Sequence, residues 1–145
     1  WASPLSGFAA GFARMAAGQG VNTELAHASE EIFSAIGHNP FLIRGTGTLD
    51  TDVSTAFEGR LIIKLGAEGV YCGALRDSKL GFALKIDDGN LPAAEATVAK
   101  LLLSIAAPNA KQRDALVAYA EKPVKNWRNI HVATIKATDE AALSL

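Results

Sequence analysis

Residues 60–86 constrain the fold more than any other stretch. The runs 60–64, 69–75 and 80–86 are short and rich in β-formers, and GAEG, RDSK and DDGN punctuate them. Tight turns between short apolar runs predict a meander of three antiparallel strands. Helical patterns stand on both sides of this block. Runs of helices segregated from antiparallel strands predict an α+β fold, with helices packed on an antiparallel sheet.

Before the meander, Leu5, Phe8, Phe12 and Met15 recur at helical spacing over 4–17, with Pro4 suited to a first turn. Asn22 is placed to cap a second helix whose Leu25, Ala28, Ile32 and Ile36 share a face, and Gly37 suits a left-handed residue after its end. The stretch HNPFLIRGTGTLDTDV reads as a shaped loop with room for a short helix. After the meander, DDGN can cap a helix with Pro92 in its first turn and Val98, Leu101, Leu102 and Ile105 as its apolar stripe. A further helix spans 110–121 and stops before Pro123. Residues 130–135 read as a last strand, before a short helical tail. A three-stranded meander has two open edges. Residues 130–135 are expected to cover one of them, and missing sequence or a second chain the other.

The chain has 145 residues, 49% hydrophobic and 20% charged, which suits a globular domain with a real core. The net charge of −1 gives no electrostatic footprint for nucleic acid or an anionic membrane. No apolar run approaches the roughly 20 residues of a membrane span. A single cysteine, Cys72, excludes an internal disulfide and fits a reducing, cytoplasmic compartment. The opening WASPLSGFAAGFARMAAG lacks the basic lead of a signal peptide and enters a helix almost at once. The expectation is that 1–145 is a single domain or the C-terminal part of a larger α+β domain whose N-terminal half precedes it.

Most candidate chemistry has a plain structural explanation. His27, His38 and His131 lack metal-ligand spacing, so no metal site is expected within the chain. RGTGTLD lacks the third glycine and the Gly-Lys-Ser/Thr ending of phosphate loops. Asp50, Asp52, Asp87 and Asp88 suit turns and helix starts. Cys72 shares a strand face with Val70 and Ala74, as a buried structural thiol would. Lys64 stands apart. Alternation places it on one face with Arg60 and Ile62, at the end of an aliphatic strand. A lysine there commonly covers the sheet with its stem and sends its ammonium to water. Gly66 and Gly69, however, allow another backbone or a substrate to approach closely. Lys-x-Gly at a strand end also resembles the Lys-Thr-Gly element of penicillin-interacting serine hydrolases.

The blocks KLGAEGVYCGAL, LGFALKIDDGN and AAE, with WASPLSGFAAGFARMA, PFLIRGTGTLDT and KPVKNWRN, closely resemble the asparaginase II family, the rhizobial-type (class 3) L-asparaginases. The resemblance runs over nearly the whole chain. It implies a fold similar to serine β-lactamases and glutaminases, and hydrolysis of L-asparagine to L-aspartate and ammonia. It also implies a Ser-x-x-Lys nucleophile motif, a second serine, and two cysteines and a lysine that hold zinc near the site. All of these come from an N-terminal half with no counterpart in this chain. A homodimer is expected as well.

Residue by residue, Lys64 carries over as the strand lysine paired with the second serine, and Gly66 and Gly69 as the turn beside it. Ala67 is a candidate backbone donor to the oxyanion. The chain departs from the family at Leu91-Pro92, where relatives carry an arginine, and at Thr48, where a basic residue is expected. An ammonium at Lys64 can stabilise charge on the acyl oxygen, and as a neutral amine the same group could accept the serine proton. Two alternatives stand beside this reading. One is a glutaminase or penicillin-type hydrolase with the same strand lysine. The other is a non-catalytic piece that completes a fold or dimer.

Overall fold

The computed structural model describes residues 2–139. The order is α1 (Leu5–Ala17), α2 (Thr23–His38), α3 (Phe41–Arg44), α4 (Leu49–Ala56), β1 (Leu61–Leu65), β2 (Val70–Leu75), β3 (Leu80–Lys85), α5 (Leu91–Ile105), α6 (Ala110–Ala120), β4 (Glu121–Lys125) and β5 (His131–Lys136). The architecture is α+β with antiparallel sheets.

The meander forms as its turns dictate, in the order β1-β2-β3. Leu61 pairs with Leu75 and Leu65 with Tyr71, while Tyr71 also pairs with Leu84. Pleating sends Leu61, Ile63, Tyr71, Leu75 and Phe82 to one face, where they meet α4, α5 and α6. Val98 and Leu102 of α5 are fully buried in this core, and Leu101 and Ile105 pack half-buried at its margin. The opposite face carries Ile62, Ala74 and Lys64. There Ile62 and Ala74 join Phe33 of α2 and Phe12 and Met15 of α1. The sheet is thus covered by helices on both sides.

Helix starts follow capping chemistry. The Asn22 side chain accepts the Leu25 amide at 2.8 Å, and Asn90 accepts Ala93 at 2.9 Å. At α6, Asn109 and Gln112 close a reciprocal capping box.

Three expectations are corrected. Gly37 is not left-handed but lies inside α2, where its hydrogen faces Gly59; a Cβ at Gly37 would come within 3.0 Å of Gly59 Cα. The second correction concerns 38–53. It is less a loop than α3 followed by α4, which runs on to Ala56. LDTDVSTA is poor in helix formers, so local propensity conceals the helix. Burial of Leu49, Val53 and Ala56 supplies what propensity lacks. Lastly, β5 does not cover the meander edge. It pairs with β4 in a separate two-stranded sheet, with Pro123 opposite Thr134. Pro123 ends the helical register after α6, and a proline is tolerated in a two-stranded ribbon where no neighbour needs its missing N–H. The Asn126 carboxamide accepts the Arg128 and Ile130 amides and so shapes the connecting turn. The expected helical tail lies outside the described residues.

The tightest helix-to-sheet contact is at Gly81. A Cβ there would meet the Ala9 carbonyl oxygen of α1 at 2.2 Å and the Ala13 nitrogen at 2.4 Å. Both obstacles are backbone, so α1 would have to lift. Gly81→Ala is therefore expected to destabilise the chain by about 1–3 kcal/mol in urea unfolding. Gly11→Ala, on α1 with open space around it, is the counterpart and is expected to stabilise by about 0.5–1 kcal/mol.

Candidate functional site at the end of the first strand

Lys64 is exposed, and its ammonium donates to the Leu65 carbonyl oxygen at 2.7 Å. Its stem lies along an apolar groove of about 210 Å³, lined among others by Phe12, Met15, Phe33 and Ile43. The aliphatic part is thus packed and the charge wet.

Gly66, Ala67 and Glu68 follow on the surface. Gly66 donates its amide to the Val70 carbonyl at 2.8 Å, closing the turn. Glu68 and Gly69 both have positive φ, 56° and 68°. Gly69 is buried, its carbonyl accepts the Ile86 amide at 3.0 Å, and a Cβ there would sit 3.1 Å from the Gly89 backbone. Glycine is required at 69 by both dihedral and space. The Ala67 amide donates to no group among the described residues. Lys64, Gly66, Ala67 and Gly69 therefore lie along one strand end and turn, which carries an exposed cation and a backbone N–H without a partner among the described residues.

Behind this turn lies a charged cluster that the sequence reading passed over. Asp50, in the first turn of α4, is completely buried. Its Oδ1 accepts the Leu65 amide at 2.9 Å, and its Oδ2 accepts the Tyr71 hydroxyl at 2.7 Å and Arg44 Nη1 at 3.1 Å. Arg44 also donates to Glu95 of α5 at 3.1 Å, and Lys122 of β4 donates to the other Glu95 oxygen at 3.1 Å. Two carboxylates are thus balanced by two cations, as burial of charge requires. Burial works against the Arg44 charge, yet its bonds to Asp50 and Glu95 outweigh it and its pKa rises. Burial, and then the bond to Asp50, pushes the Tyr71 phenol well above its ordinary value of 10.0. Tyr119 is raised in the same way, by burial and by its 2.6 Å bond to Asp52.

Arg44 and Asp50 stand in PFLIRGTGTLDT and Glu95 in AAE, two of the blocks that carried the resemblance, but nothing in those blocks pairs them. Asp50 and Asp52 suit a helix start, as expected, but both also take buried or half-buried partners. Thr48 Oγ1 lies 3.1 Å from the Gly45 carbonyl and 3.2 Å from Thr51 Oγ1, so it ties the approach to α4. Cys72 is buried, and burial raises its thiol pKa, which disfavours a thiolate. Among the described residues no three His, Cys, Asp or Glu side chains come together as metal ligands would. Among them, too, no helix is long and apolar enough to cross a membrane.

Both raised phenols stabilise the fold in their protonated form. That contribution is complete below the unfolded value near pH 10 and is lost as pH rises toward the higher folded values. Stability in urea is expected to fall from about pH 10 upward. Tyr71→Phe should flatten part of that fall. At neutral pH it should remove about 1–3 kcal/mol, because Asp50 loses a donor.

The family comparison agrees with the local pattern. No curated protein matches the chain. The family model described as L-asparaginase II matches residues 1–137, a span that contains the strand end, the turn and the whole buried cluster. The chain belongs to the L-asparaginase II family.

Proposed function

We propose that this chain forms the strand-lysine side of an L-asparaginase-type site, which hydrolyses L-asparagine to L-aspartate and ammonia. The match of the L-asparaginase II family across residues 1–137 carries the reading. The exposed Lys64 at the strand end and the exposed Ala67 in the turn that follows support it.

In this mechanism a serine outside 1–145, on a fold similar to serine β-lactamases, attacks the side-chain amide carbon. The serine oxygen forms an acyl ester and the nitrogen leaves as ammonia. Water then cleaves the ester and releases aspartate. Lys64, exposed and already donating to a carbonyl oxygen, acts as the cation that lowers the energy of the oxyanion, with the Ala67 N–H as second donor. Exposed Gly66 keeps the turn low enough for substrate to approach, while buried Gly69 sets the turn's shape against Gly89. Any zinc is held by residues outside 1–145. The reading takes 1–145 as the C-terminal part of a larger α+β domain in a cytoplasmic homodimer. Leu5, Phe8, Ile32, Phe41 and Leu42 are exposed on α1–α3 and support a docked neighbour there.

Lys64→Met in the full-length protein keeps the stem and removes the charge. It is expected to preserve the thermal transition and lower kcat/KM for asparagine by at least about a hundredfold. Lys85→Met, at the end of the far strand, is expected to leave turnover near normal. Parallel assays with glutamine and a chromogenic β-lactam are expected to show much lower rates. Near-normal asparagine turnover in Lys64→Met would remove Lys64 from the mechanism.

A further inference from the structure

The geometry points to Asp50 as the positioning residue for Lys64, an inference that rests on the reading of Lys64 above. Among the described residues β1 is an edge strand, and on its open side no neighbouring strand accepts its amides. At the last residue of β1 the fold supplies a substitute. The Leu65 amide is accepted by Asp50 Oδ1 at 2.9 Å, and the Leu65 carbonyl accepts the Lys64 ammonium at 2.7 Å. One residue therefore links the buried carboxylate to the exposed cation. Asp50 cannot swing away, because Oδ2 is held by Tyr71 and Arg44, and Arg44 is held in turn by Glu95. A strand end free of this anchor would fray, as edge-strand ends do, and Lys64 would sample many positions. The Asp50 side chain is fully buried and reaches the site only through Leu65. It acts by fixing where the lysine stands, not by touching substrate.

Asp50→Asn keeps the shape but replaces one acceptor by an amide donor. Whichever way the carboxamide turns, a donor then faces either the Leu65 amide or the Tyr71–Arg44 pair. Tyr71→Phe keeps the carboxylate and removes only one of its donors, which gives a milder second variant should the asparagine variant fold poorly. The first readout is amide hydrogen exchange on the full chain. The Leu65 amide is expected to exchange at least about tenfold faster in both variants, over and above the common factor by which any loss of global stability speeds the β2 and β3 amides. Acceleration at Leu65 no greater than that of the β2 and β3 amides would make Asp50 a general stabiliser and overturn the inference. The second readout is turnover of asparagine by the full-length protein. Each variant is expected to lower kcat at least about tenfold with KM nearly unchanged, and to add no further loss on the Lys64→Met background. If the losses multiply while Lys64→Met alone is crippled, Lys64 stays in the mechanism and the positioning role of Asp50 is wrong. If Lys64→Met turns over normally, the reading of Lys64 falls and this inference falls with it.

Discussion

A carboxylate with no access to water must be surrounded by donors, and Asp50 is such a carboxylate. Its three donors come from α3, from the end of β1 and from β2. Arg44 brings in α5 through Glu95, and Glu95 brings in β4 through Lys122. Elements far apart in sequence are thus tied to one point. An apolar core of Leu49, Val53, Leu61, Ile63, Val98 and Leu102 packs around it. That core provides most of the driving force for collapse, while the ion cluster is selective about geometry, since a shifted element would strand a buried charge.

The same arrangement explains why an edge strand can carry an exposed chemical group. An open edge with unpaired amides is mobile and sticky. Here the helix α4 blunts the edge from inside, and the strand presents Lys64, the residue before its last, outward. Rigidity comes from the buried side of the peptide and accessibility from the other. Lys64 needs both if it is to meet a reacting carbonyl at a fixed place.

The fold was legible where local chemistry decides it. Tight-turn tetrapeptides gave the meander to within a residue, and Asn22, Asn90 and Ala110 marked helix starts. It was hidden where tertiary burial decides. LDTDVSTA has weak helix propensity and folds as α4 because Leu49 and Val53 are needed in the core. β4 contains Pro123 and is recognisable only from its partner β5. At the site, Lys64 and the glycines of its turn could be read from strand alternation and spacing. Asp50 could not, because an aspartate at a helix start looks the same whether its partner is water or a strand 15 positions onward in sequence. Only the cross-element contact distinguishes them.

Cys72 sits on the sheet face that α1 covers, opposite Lys64 in register, and it is the sole cysteine of the chain. Its thiol is shielded, and its raised pKa leaves little thiolate to react. A thiol reagent can then reach it chiefly while the helix is off the sheet. The molecule therefore contains a built-in reporter of its own opening. The labelling rate of an unmodified chain measures how often α1 detaches, and no introduced probe disturbs the packing at Gly81 that holds the helix down.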